Sequence, residues 1–251
     1  MARISARVSA ASLGFDTGIE VIIPHNSLEP KPVGKVLYLL HGLSQDSTSW
    51  GRKSTIEIFA EQFNYAVIMP EVHRSFYHNM AYGSDYFTYV AFELPQICEQ
   101  LFQIKHVREK TFVAGLSMGG YGAIRCGLTR PDFYGGCAGF SGALDPHALL
   151  PNMNAMGMIR QITGVLGTDL IIPDDANLFR LSEKVAQLQN MPRVLVTCGD
   201  SDELLAINRG FDAHMKKLSI PYKYMEWGGG HDWKFWEECL PVAFEFFGEE
   251  V

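Results

Sequence analysis

The sequence lacks long hydrophobic runs and clusters of basic residues. No stretch approaches the roughly 18 consecutive apolar residues that a membrane-spanning helix needs. The formal net charge is −7, from 21 basic and 28 acidic residues, and no basic run is longer than Lys216–Lys217. Because proteins that bind nucleic acids normally present a basic face, we expect neither a nucleic-acid partner nor a membrane-spanning segment.

Cysteines are few and show no pattern of spacing. The five occur at positions 98, 126, 137, 198 and 239, without a Cys-x-x-Cys pair or a Cys/His metal-binding spacing. An odd number without such a framework predicts reduced thiols that are mostly buried as small apolar residues. The amino-terminal residues, Met1 to Val8, also lack the apolar segment of a signal peptide. These features predict a cytoplasmic protein without a metal site.

The most informative segment that is present runs from Phe112 to Gly120. A short apolar stretch leads into Gly-x-Ser-x-Gly at 115–119, and a helix-like stretch follows it. In a nucleophile elbow the serine occupies a sharp turn between strand and helix, and glycines on either side make room for the tight backbone. The five-residue pattern is weak by itself, but its strand and helix context favours a catalytic serine over a plain turn. Ser117 is therefore the candidate nucleophile.

A serine nucleophile requires a histidine base and an acid, which follow it in the chain order serine, acid, histidine. Among the eight histidines, His231 alone combines a position after the serine, the end of a predicted strand and a preceding glycine run, Gly228–Gly230. His73 follows another predicted strand and could line a cleft. The remaining histidines outside the His41–Gly42 turn are typical of surface or core positions. We therefore predict that His231 is the base.

The acid is harder to choose from the residues alone. A predicted strand that begins at Arg193 runs into a turn containing Asp200, Asp202 and Glu203. All three lie at the carboxyl end of that strand, where open α/β sheets place their active sites. Asp200 and Glu203 are also typical of solvated turns and helix starts. The pattern leaves these alternatives open.

A predicted buried strand at 35–40 ends in His41-Gly42-Leu43-Ser44. In α/β-hydrolases the loop after the third strand donates one N–H to the oxyanion, and the residue after the nucleophile donates the other. Those donors would be Leu43 and Met118. His-Gly is not specific and is also typical of a simple turn, but its position upstream of the elbow supports the oxyanion interpretation.

Strands and helices alternate along the chain, which predicts one α/β domain over 1–251 with a mostly parallel, doubly wound sheet. An antiparallel strand pair at the N-terminus is joined near Gly14–Gly18. The predicted strands are 4–12, 18–24, 35–40, 65–70, 111–115 and 135–140, one from 193 and one at 222–227; the predicted helices include 54–63, 88–104 and 119–129. Residues 145–190 interrupt the alternation, and a small cap over the site and a peripheral helical excursion remain alternative interpretations.

Eight motifs, in order along nearly the whole chain, resemble one known group. They are Leu40-His41-Gly42, the segment 46–50, Met69-Pro70-Glu71, Arg74-Ser75-Phe76-Tyr77, Glu93-Leu94-Pro95, 115–120, 198–202 and 229–233. Together they resemble the bacterial tributyrin esterases, which belong to the esterase D and S-formylglutathione hydrolase family of α/β-hydrolases. The resemblance implies that Ser117 is the nucleophile, Asp202 the acid with Asp200 as the alternative, and His231 the base.

The same resemblance implies oxyanion donors at Leu43 and Met118, short-chain acyl esters as substrates, no metal or other cofactor, and a homo-oligomer. The sequence departs from the formylglutathione enzymes at His41–Ser44, where they have Ser-Gly-Leu-Thr-Cys, and this departure disfavours a glutathione thioester. An S-formylglutathione hydrolase or an acyltransferase on the same triad is the alternative function. A binding protein without activity is disfavoured because all three triad residues are present. Candidate aromatic residues for a substrate pocket are Trp50, Phe76, Tyr77, Tyr82 and Trp233.

Overall fold

One sheet of eight strands, in the order β1-β2-β4-β3-β5-β6-β7-β8, organises the computed structural model, which describes residues 1–25, 32–155 and 157–249. The β1–β2 and β2–β4 pairs are antiparallel, and every other neighbouring pair is parallel. The strands are β1 (Ala2–Ala10), β2 (Phe15–Ile23), β3 (Lys35–Leu40), β4 (Tyr65–Pro70), β5 (Thr111–Leu116), β6 (Gly136–Phe140), β7 (Arg193–Gly199) and β8 (Tyr222–Trp227). This arrangement confirms the predicted mostly parallel α/β-hydrolase sheet with an antiparallel N-terminal pair.

The central strands are continuous apolar segments because helices cover both of their faces. Every residue of β4, β5 and β6 is buried, whereas the edge strand β8 is only half-buried. The helices are α1 (Ser49–Lys53), α2 (Ile56–Phe63), α3 (Tyr86–Thr88), α4 (Leu94–Phe102), α5 (Met118–Thr129), α6 (Pro146–Ala155), α7 (Ile159–Leu166), α8 (Leu178–Val185), α9 (Leu205–Met215) and α10 (Trp233–Gly248).

Two hydrophobic cores lie on opposite faces of the sheet. One contains buried residues of α4, α5, α8 and α9, and the other contains those of α2 and α10. The second core is rich in aromatic contacts, such as Phe244 against Tyr65 with ring centroids 4.8 Å apart. No helix within the described ranges is long and apolar enough to cross a bilayer.

The first hairpin turns earlier than the sequence predicts. The Leu13 and Gly14 N–H groups both donate to the Ala10 carbonyl, at 3.1 and 2.9 Å, and Gly14 has φ +78°. Gly18, which was expected in the turn, instead lies inside β2 opposite Arg7. The turn is therefore at 11–14, because Gly14 supplies the left-handed residue that closes it.

The helix predicted at 88–104 lies two residues earlier, from Tyr86 to Phe102, and is interrupted. Its middle, Tyr89–Glu93, is a π-helical turn. Pro95 lies just after this turn and has no N–H to donate to the Ala91 carbonyl four residues earlier. Arg130 donates to that carbonyl instead, at 3.0 Å.

The segment predicted at 145–190 contains α6, α7, a short 3₁₀ turn at Asp174–Ala176 and α8. Met156 within it lies outside the described residues.

Candidate active site

Ser117 lies at the turn between β5 and α5, with φ 54° and ψ −116°. Its N–H donates to the Phe140 carbonyl at 2.9 Å, which holds the turn against the neighbouring strand. The glycines of the motif are required by close packing. A Cβ on Gly115 would overlap the Gly119 carbonyl, and a Cβ on Gly119 would lie 2.6 Å from the His41 oxygen. The sequence motif therefore forms the strained strand-to-helix turn that it predicts.

The structure brings Ser117, His231 and Asp202 together in one hydrogen-bonded row. His231 Nε2 lies 3.0 Å from Ser117 Oγ, and His231 Nδ1 lies 3.1 and 3.0 Å from the two carboxylate oxygens of Asp202. The Ser201 N–H donates to the Gly229 carbonyl at 3.0 Å, so the loops that carry the acid and the histidine are tied to each other. These distances are those that a serine nucleophile, a histidine base and an orienting acid require.

Asp202 is held as a carboxylate. Its side chain is fully buried, and burial acts to raise its pKa. Hydrogen bonds from His231 and from the Leu204 N–H, the latter 2.7 Å long, act in the opposite direction and keep the pKa below its usual value. The Ser141 hydroxyl also lowers this pKa as a dipole near the carboxylate, although it does not reach hydrogen-bonding geometry.

The two other acids of the turn are placed differently. Asp200 is exposed, and its carboxylate accepts hydrogen bonds from the Ser201 hydroxyl at 2.9 Å and the Gly229 N–H at 3.4 Å. Glu203 is exposed as well. Within the described residues, Asp202 is the acid that contacts the imidazole of His231.

The loop after β3 packs against the first turn of α5, as the close approach of Gly119 to His41 indicates. Met118 is the first residue of α5, where backbone N–H groups have no partner within the helix. In the described part of the chain, the Leu43 N–H has no hydrogen-bond acceptor. The N–H groups of Met118, which follows Ser117, and of Leu43 are thus without an acceptor in the described part of the chain. No group of three or more His, Cys, Asp or Glu side chains in the described ranges is arranged to hold a metal ion.

A small apolar cavity of about 20 Å³ lies beside α5. Tyr121 and Ala143 contribute to its wall, and the N–H groups of both residues donate to the Ser117 carbonyl. Its other sides are formed by Phe76, His78, Pro146, Leu149, Leu150, Met153, Ile162, Val165 and Leu166. Helices α6 and α7 therefore cover a small apolar space, and two residues of its wall are hydrogen-bonded to the Ser117 backbone.

Of the five candidate aromatic residues, Phe76 lines this cavity. Trp50 and Tyr77 are fully buried and donate to the carbonyls of Leu40 and His41, at 3.1 and 2.8 Å, so they support the loop after β3. Trp233 packs on Trp50, and Tyr82 is 64% exposed. His73 is also exposed and lies 3.2 Å from Glu71.

A buried polar network beside the cavity was not expected from the sequence. Tyr121 donates to the Ala176 carbonyl at 2.6 Å and lies 3.0 Å from His78 Nε2. Arg125 donates to the Tyr77 carbonyl at 2.9 Å. Burial, reinforced by the charge of Arg125, lowers the pKa of His78 to about 3. A lone histidine after an aromatic residue carries no sequence signal for this environment.

Several known proteins are similar to this chain in sequence and in fold. The model of a family described as "Putative esterase" matches residues 10–247. An acetyl esterase from Caldicellulosiruptor saccharolyticus is 34% identical over 222 residues, which cover 86% of this chain and 84% of that protein. Two Staphylococcus aureus structures, the serine hydrolase FphF and the S-formylglutathione hydrolase FrmB, are each 30% identical over 99% of both chains, with TM-scores of 0.88 and 0.85. These similarities confirm the resemblance seen in the sequence. The chain therefore belongs to this esterase family of the α/β-hydrolase fold and is a serine hydrolase of carboxylic esters.

Proposed function

We propose that the protein hydrolyses short-chain acyl esters through an acyl-enzyme on Ser117. The observation that carries the proposal is the 3.0 Å contact between Ser117 Oγ and His231 Nε2, with Asp202 on the opposite ring nitrogen. Because the buried carboxylate accepts the Nδ1–H of His231, it keeps Nε2 free to take the serine proton. His231 is then the general base, and Asp202 orients it.

The first half of the reaction forms the acyl-enzyme. Ser117 Oγ attacks the ester carbonyl while its proton passes to His231, and the Leu43 and Met118 N–H groups stabilise the resulting oxyanion. The tetrahedral intermediate collapses as the carbon–oxygen bond to the alcohol breaks and His231 protonates the departing alkoxide. Water then attacks the acyl-enzyme by the same route and releases the carboxylic acid and the free serine.

We place the acyl group in the apolar cavity whose wall includes Tyr121 and Ala143, because both residues donate to the Ser117 carbonyl. Its volume is only about 20 Å³, so long acyl chains would have to displace α6 or α7 or stay in solvent. Each methylene that stays outside forgoes about 0.8 kcal/mol of favourable transfer. The acetyl esterase relative supports the same size class. In this proposal the segment 145–190 acts as the cap that closes the acyl site.

Thioester hydrolysis is the second candidate, because FrmB is an S-formylglutathione hydrolase. A panel of 4-nitrophenyl esters from acetyl to dodecanoyl, with S-formylglutathione assayed alongside, tests the choice. We expect kcat/KM to peak between acetyl and butyryl. S-formylglutathione turnover well above that of every ester, or a steady rise toward long chains, would contradict the proposal. Product analysis with added alcohol or thiol acceptors separates hydrolysis from acyl transfer.

A single domain over 1–251, a cytoplasmic location and a homo-oligomer stay predictions. All five cysteines are free and buried, which supports a reducing compartment. Light scattering on the purified protein measures the oligomeric state directly.

A further inference from the structure

His41 contacts the peptide unit that carries one proposed oxyanion donor. It directly follows β3, is buried, and its Nδ1 is 2.8 Å from the Gly42 carbonyl oxygen. Since a carbonyl oxygen only accepts hydrogen bonds, Nδ1 must carry a proton. Nothing in the sequence motif assigns a role to this imidazole beyond a strand-to-loop turn.

The carbonyl of Gly42 and the N–H of Leu43 belong to the same planar trans peptide and point in opposite directions. A hydrogen bond that fixes the carbonyl toward the buried imidazole therefore fixes the Leu43 N–H away from it. The same hydrogen bond polarises the peptide and strengthens its N–H as a donor. On the other side of Gly42, its N–H donates to Gln45 Oε1 at 2.9 Å. Both peptides that flank Gly42 are thus held.

The surroundings of His41 keep the proton on Nδ1. The Val72 N–H donates to Nε2 at 3.2 Å, which requires a lone pair there in the neutral ring. Glu71 Oε1 also lies 3.3 Å from Nε2. The proton on Nδ1 is therefore the one that donates to the Gly42 carbonyl.

Glu71 also holds the far end of the same loop. Its two oxygens accept the Ser47 N–H at 3.0 Å and the His73 N–H at 2.7 Å. Burial acts to raise the pKa of Glu71, but the hydrogen bonds from the His73 and Ser47 N–H groups act in the opposite direction, and the net shift is downward. The carboxylate therefore joins the loop after β3 to the loop after β4, with His41 between them.

We propose that His41 is a positioning residue of the oxyanion hole: its Nδ1–H holds the Gly42 carbonyl so that the Leu43 N–H points at the substrate oxygen, and Glu71 holds the loop through the Ser47 and His73 N–H groups. This inference rests on the proposed function, since it requires Leu43 to act as an oxyanion donor. It assigns His41 and Glu71 no contact with the substrate.

The test compares His41→Leu, His41→Asn and His41→Gln. An asparagine amide can place an N–H near the position of Nδ1, whereas a glutamine amide reaches toward Nε2. His73→Asn is the matched control, because His73 is exposed, also contacts Glu71 and has φ +51°, which asparagine tolerates. Circular dichroism checks the fold of each variant. If the leucine variant does not fold, the asparagine and glutamine variants make the same comparison.

Two readouts separate positioning from a general structural effect: kcat and KM for 4-nitrophenyl acetate, and inhibition by an alkyl trifluoromethyl ketone, whose serine adduct carries an oxyanion. Removal of a complete oxyanion donor lowers kcat by about 10² to 10³, so His41→Leu should lose on the order of 10 to 10² with little change in KM. The inhibition constant of the ketone should rise in parallel. His41→Asn should recover most of both losses, His41→Gln should not, and His73→Asn should match the wild type.

A wild-type kcat in His41→Leu, an equal loss in the asparagine and glutamine variants, or a loss confined to KM would overturn the inference. Ser117→Ala and the wild type are assayed first. An active wild type, an inactive Ser117→Ala and a fully active His41→Leu would refute the positioning role alone. Failure of the wild type on every ester, or activity in Ser117→Ala, would refute the proposed function and this inference with it.

Discussion

The buried histidine beside the cavity predicts a loss of stability in mild acid. Burial and the charge of Arg125 lower the pKa of His78 from 6.5 to about 3. Since the folded-state pKa lies below the unfolded one, the unfolded chain binds the extra proton as the pH falls below 6.5. The contribution of His78 to stability is therefore complete above about pH 6.5 and is lost progressively toward pH 3.

The magnitude follows from the two pKa values. At pH 5 the unfolded histidine lies 1.5 pH units below its pKa of 6.5, whereas the folded one is still neutral. One pKa unit corresponds to about 1.4 kcal/mol, so the free energy of unfolding falls by about 2 kcal/mol between pH 7.5 and pH 5 from this residue.

His78→Gln isolates the effect, because its amide can still donate to the Tyr121 hydroxyl and does not titrate. Urea unfolding followed by circular dichroism gives the free energy of unfolding of both proteins at pH 7.5, 6.5 and 5. The wild type should lose about 2 kcal/mol more than the variant over this range. Burial also lowers the pKa of His106, but that residue is common to both proteins and cancels in the difference. Parallel pH curves for the two proteins would refute a buried neutral His78.

Further predictions concern the acid and the elbow. Asp202→Asn should lower kcat by roughly 10⁴ because the imidazole loses its productive tautomer, whereas Asp200→Asn should stay near the wild type; a larger loss in the second variant would reassign the acid. Gly119→Ala should destabilise the fold by about 1–3 kcal/mol and lower kcat, because its Cβ would lie 2.6 Å from the His41 oxygen. Gly210→Ala is its matched control inside α9: a Cβ there meets nothing within 4 Å, so a gain of up to about 1 kcal/mol is expected. Equal unfolding free energies for the two alanine variants would contradict the packing argument.

The elbow could be predicted from the sequence because its close packing allows only glycine at particular positions. Only glycine fits where a Cβ would meet backbone oxygen, and both such positions of the motif contain glycine. The buried parallel strands could also be predicted from the sequence, since a strand covered on both faces is apolar throughout. For these elements the local sequence and the global fold impose the same constraint.

The acid and the supporting residues could not be derived in this way. Asp200, Asp202 and Glu203 differ in burial and in contacts rather than in chemistry, and only the folded turn separates them. The π-helical turn before Pro95 depends on Arg130, which is distant in the sequence, to satisfy the Ala91 carbonyl. His41 and Glu71 likewise meet only when β3 and β4 pair.

The most direct test of the account is covalent labelling of the nucleophile. A fluorophosphonate is added in excess to the wild type and to Ser117→Ala, and the adducts are located by intact and peptide mass spectrometry while esterase activity is measured in parallel. The account predicts a single adduct per chain on Ser117 with proportional loss of activity, no adduct in Ser117→Ala, and a kcat for that variant reduced on the order of 10⁶. An adduct on another residue, or substantial activity in a correctly folded Ser117→Ala, would contradict it.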